Sequence, residues 1–200
     1  VLVADDHTIV RDGLRQILSE ISDISVIGEA SNGNQVLEEV SKNDYDVVVL
    51  DIAMPEKGGM DTLRQLRSER PDLPVLMLSM YPEEQYAVRA LKIGASGYLT
   101  KESGSEELIA AIRKVSAGGK YVTSSLAERL ASYLDVDSER PLHESLSDRE
   151  HQVVLMIASG KTVRQISEML SLSVKTISTH RRRALDKMQM ETSSELTHYA

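Results

Sequence analysis

The chain contains no cysteine, no phenylalanine and no tryptophan among its 200 residues. Without cysteine there is no disulfide framework, no thiol nucleophile and no thiolate-held metal, a usage compatible with a reducing compartment. The only aromatic carbocycles are 7 tyrosines, so a core must be built from Val, Ile, Leu and Met. No apolar run approaches the roughly 18 residues of a membrane span. A signal-peptide pattern is also missing, and a cytoplasmic location is expected. There is neither a phosphate-cradling glycine loop nor a GxSxG nucleophile elbow. The histidines His7, His143, His151, His180 and His198 show no metal-ligand spacing, and His7 reads as a loop residue beside an acidic pair.

What is present is unevenly distributed. The net charge is -8, with 41% apolar and 27% charged residues, an ordinary globular composition. Residues 1–120 carry 20 acids against 13 bases, residues 121–146 carry 5 against 2, and residues 147–200 carry 6 against 8. A slightly basic tail on an acidic protein points to a nucleic-acid-binding segment.

The first 120 residues alternate short apolar runs with amphipathic stretches. The runs are VLVAD, ISVIGEA, DVVVLD, PVLMLS and SGYLT. Between them lie TIVRDGLRQILSEI, GNQVLEEVSKN, GMDTLRQLRSE, EEQYAVRALKIG and SEELIAAIRKVSAGG. Strand-length runs alternating with helical periodicity predict a doubly wound α/β domain with five parallel strands. The last helix is expected to open on a capping box from Ser103 to Glu106 and to end at Gly118 and Gly119. A short helical piece, SSLAERLASYL, precedes DVDSERPLHES, which is polar, contains Pro141 and reads as a linker.

A second, small all-α domain opens at Ser147. SDRE is a capping box from Ser147 to Glu150, and a second helix starts at Thr162 with Gln165 as box partner, carrying Ile166, Met169 and Leu170. The tight turn SLS then leads into VKTISTHRRRALDKM, and two helices so joined predict a helix-turn-helix. On that third helix Val174, Ile177, Ala184, Leu185 and Met188 form an apolar stripe. Lys175, Ser178, Thr179 and Arg182 form the opposite one, mixing long donors with short polar groups that suit base edges.

The expected carboxyl ends of the strands carry Asp5 and Asp6, Asp51, Ser79 and Lys101. Ligands of open α/β sheets bind at that edge. Clustered carboxylates call for a hard cation such as Mg²⁺ or Mn²⁺. A hydroxyl and an ammonium beside them suit a phosphoryl group. Any one of these residues alone is more often a turn or surface residue; their joint occurrence carries the reading.

On the stretches ADDH, VVVLDIAMP, VLMLS and GASGYLTK, residues 1–118 resemble the receiver domain of bacterial two-component response regulators, a flavodoxin-like fold. The resemblance implies Asp51 as phosphoacceptor. It implies Mg²⁺ or Mn²⁺ at Asp6, Asp51 and the main-chain carbonyl of Ala53, with Asp5 supporting. Ser79 matches the switch hydroxyl, Lys101 the phosphate-binding lysine and Tyr98 the aromatic switch position. Glu102 departs from the family, where many members have proline. Residues 147–200 resemble the LuxR-type helix-turn-helix, on LSDRE and IASGKTVRQISEMLSLSVKTISTHRRRALDKM. This likeness implies DNA contacts from Lys175, Thr176, Ser178, Thr179, His180, Arg181, Arg182 and Arg183.

Together the halves resemble the NarL/FixJ class, with residues 119–146 as linker. Implied partners are a sensor histidine kinase, double-stranded DNA, a second copy of the chain when phosphorylated, and RNA polymerase; no membrane is implied. The chain begins inside a strand and ends at Ala200 inside the last helix, so further residues are expected at both ends. Two rivals remain. A phosphotransferase or phosphatase forming an aspartyl phosphate usually has a second carboxylate two residues after its nucleophile, where this chain has Ala53. A constitutive DNA binder with an inert receiver is disfavoured by the intact Asp6, Asp51, Ser79 and Lys101 set.

Overall fold

The computed structural model describes residues 1–128 and 142–199, and the chain divides into two compact units, Val1–Asp135 and Val136–Ala200. The expectations for residues 129–141 and for Ala200 lie outside the described residues.

In the first unit five strands alternate with five helices: β1 Leu2–Ala4, α1 Thr8–Ser19, β2 Gly28–Ala30, α2 Gly33–Lys42, β3 Val48–Asp51, α3 Gly59–Glu69, β4 Val75–Ser79, α4 Glu83–Ile93, β5 Gly97–Thr100 and α5 Ser105–Ser116. All pairings are parallel, in the order β2-β1-β3-β4-β5. The central strands are apolar on both faces because helices cover both. Val3, Val49, Leu76, Leu78 and Leu99 pack with Leu14 and Leu18 of α1 and Leu108, Ala111, Ile112 and Val115 of α5. The alternate residues Leu2, Val48, Leu50, Val75 and Met77 are equally buried and, by the two-residue period of a strand, line the opposite face.

Beyond α5 the chain returns to the sheet. Tyr121 N–H donates to Ser96 C=O at 2.8 Å, and Tyr121 forms a parallel bridge with Gly97 beside the edge strand β5. The backbone is helical again at residues 124–128.

The predicted capping box at Ser103 does not form. The N-cap of α5 is Gly104, which makes no side-chain cap. Ser103 is held instead in the preceding turn, its N–H donating to Thr100 C=O at 3.0 Å, so the helix starts one residue later. Glu106 and Glu107 remain in its first turn, where their charge complements the helix dipole.

The second unit contains a short 3₁₀ turn, Leu142–Ser145, then α6 Asp148–Ala158, α7 Val163–Met169, α8 Val174–Met188 and α9 Ser193–Tyr199. Both predicted capping boxes there are formed, Ser147 with Glu150 and Thr162 with Gln165. Leu146, Val154, Ala184, Leu185, Met188 and Leu196 make a small core. Glu150 is buried and also accepts from Lys187 Nζ at 2.7 Å, tying the start of α6 to the end of α8. Burial alone would raise the Glu150 pKa, but Lys187 and the Ser147 cap outweigh it and hold it below the usual carboxylate range.

Two apolar assignments in this unit need correction. Val174 does not belong to the buried stripe; it is 50% exposed, because as the first helical residue it precedes the stretch of α8 that packs on the core. Met169, the last residue of α7, is likewise exposed, whereas Ile166 and Leu170 are buried.

Glycine at position 59 is demanded by the fold. Its N–H donates to Ile52 C=O at 3.0 Å, and a Cβ there would overlap the Asp51 carbonyl oxygen. This close approach anchors the start of α3 against the end of β3. Gly59→Ala is expected to cost about 1–3 kcal/mol, since the clash is with backbone. Urea unfolding of the full chain measures this; an unchanged midpoint would mean that α3 shifts freely.

Candidate functional site

The strand order reverses between β1 and β3, so the crevice at their carboxyl ends is the expected ligand position. Asp5 follows β1 and Asp51 is the last residue of β3; they are 1% and 2% exposed. Lys101, in the turn after β5, brings Nζ to 2.5 Å from Asp5 Oδ2 and 3.0 Å from Asp51 Oδ2, with its side chain 8% exposed. One ammonium thus faces two buried carboxylates. Asp6 is more exposed and lies 2.8 Å from His7 Nδ1. Arg11 of α1 fixes the loop from behind, donating to Asp5 C=O at 2.7 Å.

These placements govern ionisation. Burial pushes the Asp51 pKa up to about 6, with Asp5 adding to the rise, while Lys101 and the Ala53 backbone N–H oppose it. Burial by itself would lower the Lys101 pKa, but Asp51 and Asp5 outweigh that and raise it.

The fit to a cation rests on the donors. Ligand atoms of Asp5, Asp6, His7 and Asp51 all lie within 4.8 Å of one another. Asp5 Oδ2, Asp6 Oδ1 and Asp51 Oδ2 are buried with no directed hydrogen bond, only the contacts to Lys101 or the His7 ring nitrogen. Carboxylate oxygens in excess over positive charge fit a divalent cation. Within this group His7 touches the neighbouring acidic pair, as the sequence placed it, with Nδ1 at 3.3 Å from Asp5 and 2.8 Å from Asp6, and Asp51 joins from a different strand end.

Ser79, the last residue of β4, is fully buried. Its Oγ accepts from Tyr81 N–H at 3.0 Å, and its carbonyl accepts from Lys101 N–H at 2.7 Å. Tyr98 of β5 is buried, and its hydroxyl donates to Tyr81 C=O at 2.9 Å. The peptide groups of Tyr81 therefore join Ser79 to Tyr98. Nothing in the sequence pointed to Tyr81, because its contribution is main-chain.

In the second unit Ile177, Ala184, Leu185 and Met188 of α8 face the core. Lys175, Thr179, Arg182 and Arg183 are exposed, and Thr176, Ser178, His180 and Arg181 are half-buried. Ser173 caps α8, accepting from Thr176 N–H at 3.0 Å. The turn before it uses Ser171 in the left-handed region, φ 52°, which closes α7 as Leu172 N–H donates to Ser167 C=O at 3.0 Å. Among the described residues no helix is long and apolar enough to cross a membrane.

A five-stranded sheet with this charged crevice, followed by a helix-turn-helix unit, defines a two-domain regulator of the receiver and DNA-binding type. Residues 1–113 match the family described as response regulator receiver domain, and residues 144–200 match bacterial regulatory proteins, luxR family. The chain belongs to the two-component response regulators with a LuxR-type DNA-binding domain, and it is a DNA-binding transcription regulator. It is 38% identical to response regulator UvrY of Escherichia coli strain K12, over 100% of this chain and 92% of that protein. It is 38% identical to response regulator GacA of Pseudomonas aeruginosa, over 98% of this chain and 92% of that protein. Among solved structures, RcsB from Salmonella enterica serovar Typhimurium, bound to promoter rprA in the presence of phosphomimetic BeF3-, is similar with a TM-score of 0.67. The identity is 25%, covering 99% of this chain and 96% of that one.

The raised Asp51 pKa has a consequence for stability. The folded state holds the Asp51 proton more tightly than the unfolded chain, whose reference value is 3.8. The stabilisation is complete below that value and is lost as pH rises through about 6. Asp51→Asn removes the charge and leaves Lys101 paired with Asp5, so in metal-free buffer it should be more stable by about 1–3 kcal/mol at pH 8. The gain should shrink towards pH 4. Urea midpoints of both proteins across this range check it; a variant less stable at pH 8 overturns the account.

Proposed function

We propose that Asp51 is the phosphoacceptor through which a sensor histidine kinase gates this regulator. The observation that supports it is the buried Asp51 at 3.0 Å from Lys101 Nζ, one strand away from the Ser79 hydroxyl. An Asp51 carboxylate oxygen attacks the phosphorus of the kinase's phosphohistidine. The phosphorus–nitrogen bond breaks, and its electron pair leaves on the imidazole nitrogen. The product is an acyl phosphate. Lys101 stabilises the charge on the transferring oxygens, and Ser79 donates its hydroxyl to the phosphoryl group. A bound Mg²⁺, or Mn²⁺, held by Asp6, Asp51 and the Ala53 carbonyl with Asp5 supporting, would neutralise charge on the transferring group. The domain catalyses only its own phosphorylation and dephosphorylation and turns over no other substrate.

The output is DNA binding by a dimer in the cytoplasm. RcsB has been solved as two dimers bound to two parallel DNAs, which favours the same mode here. RNA polymerase is a further candidate partner, on the family resemblance alone. Lys175, Ser178, Thr179 and Arg182 read bases in the major groove, while Arg181 and Arg183 hold phosphates or pack their stems; Thr176 and His180 border the same surface.

Two measurements test the reading. Asp51→Asn should abolish labelling by acetyl phosphate with Mg²⁺ present; undiminished labelling would sink the assignment. Arg182→Ala should relax specificity at one base position at a cost of roughly 1–3 kcal/mol. Arg183→Ala should weaken all sequences alike and lower the salt slope by about one. Binding-site selection followed by salt titrations separates them. Retention of the wild-type preference by Arg182→Ala, with a uniform loss of affinity, would mean that the base-reading stripe is misassigned.

A further inference from the structure

The segment that leaves α5 is fastened to the loop that carries the Ser79–Tyr81–Tyr98 connection. Glu83, the first residue of α4, lies two residues beyond Tyr81. Its Oε2 accepts from Thr123 Oγ1 at 2.7 Å and from Ser125 Oγ at 3.2 Å. Thr123 Oγ1 in turn accepts from Leu126 N–H at 3.3 Å, and Ala127 N–H donates to Thr123 C=O at 3.0 Å. Glu83 is thus bound to the cap of the helical turn at 124–128, and Leu126 is fully buried beside it. Nearer α5, Lys120 Nζ donates to Ala95 C=O at 2.8 Å and Tyr121 OH to Glu107 at 3.1 Å. Those two contacts hold to elements away from the β4–α4 loop. Among the described residues, the hydrogen bonds of Glu83 with Thr123 and Ser125 tie the segment to the start of α4, directly after that loop.

We propose that Glu83 with Thr123 and Ser125 is a latch, closed in the unphosphorylated protein and opened by phosphorylation of Asp51, that controls the order of the helical turn at residues 124–128. The proposal rests on the phosphoacceptor reading above. When the Ser79 hydroxyl turns to the phosphoryl group, its oxygen no longer faces Tyr81 N–H. The Tyr81 peptide is also held from its other side by Tyr98, so loop and Tyr98 side chain rearrange together. A buried polar group seeks a partner, which makes the two arrangements discrete. Glu83, one residue past Pro82, moves with the loop, and an anionic acceptor displaced from two short hydroxyl side chains loses both hydrogen bonds. The first helical turn after residue 123 then loses the interaction that holds its cap.

Amide hydrogen exchange on the full-length chain tests the latch, with beryllofluoride as the phosphoryl mimic and its binding read separately by fluorine NMR. In the wild type the amides of Leu126 and Ala127 should exchange roughly tenfold faster once the mimic is bound, as expected for losing hydrogen bonds to a charged acceptor. Glu83→Ala, and independently Ser125→Ala with Thr123→Val, should show the fast rate without the mimic and little further change with it. Exchange at Ile109 and Val115 of α5 should be unaltered, which separates an opened latch from general unfolding. Bound mimic with unchanged exchange at Leu126 and Ala127 would overturn the gating. Slow exchange in Glu83→Ala would overturn the latch itself, whatever the mimic does. Failure of the mimic to bind would instead overturn the phosphoacceptor reading, and the gating with it.

Discussion

The contact of Lys101 with both Asp5 and Asp51 is the constraint around which the first domain is arranged. Two carboxylates 1% and 2% exposed are not tolerated at the end of an apolar sheet without a counter-charge. One ammonium offsets them only in part, which leaves a net negative crevice suited to a divalent cation. Meeting that condition requires the carboxyl ends of β1, β3 and β5 to converge, and β4 must lie between the last two. The parallel register does this, pairing Ala4 with Leu50, Asp51 with Leu78 and Ser79 with Thr100. Gly59 lets α3 start close against Asp51, and Arg11 holds the Asp5 carbonyl.

The second unit uses charge in the opposite way. Its core is small, and most of its basic side chains on α8 are exposed rather than buried. Charges that meet phosphate must remain in water until DNA displaces it. Glu150, one of the buried charged residues, is paired with Lys187 and with its own cap and ties the start of α6 to the end of α8. Rigid placement of the helix is what the proposed base-reading side chains Lys175, Ser178, Thr179 and Arg182 require.

The connection between Ser79 and Tyr98 runs through the main chain of Tyr81. The Tyr81 peptides accept and donate between Ser79 and Tyr98, and Glu83 stands two residues further on. Side chains at such a relay can change while the connection persists. This is why the relay leaves no mark in residue types, although its ends, Ser79 and Tyr98, are recognisable.

The alternation of apolar runs and amphipathic stretches determined the five βα units, and α3 spans the same residues, Gly59–Glu69, that the periodicity marked out. The capping residues Ser147 and Thr162 determined where two helices of the second unit begin, because a cap is a contact within four residues of chain. The strand-end positions of Asp5, Asp51, Ser79 and Lys101 were likewise readable, since each follows an apolar run. Tertiary structure decided the rest. It moved the α5 start from Ser103 to Gly104, because Thr100 claims the Ser103 amide. It left Val174 and Met169 exposed, because helical period says which residues share a face but not how far along the helix the core extends. It also brought Asp51 to Asp5 and Asp6, and Glu83 to Thr123, residues 40 apart in the second case. Local pattern encodes neighbours along the chain; such pairs exist only once the sheet has assembled and its edges are packed.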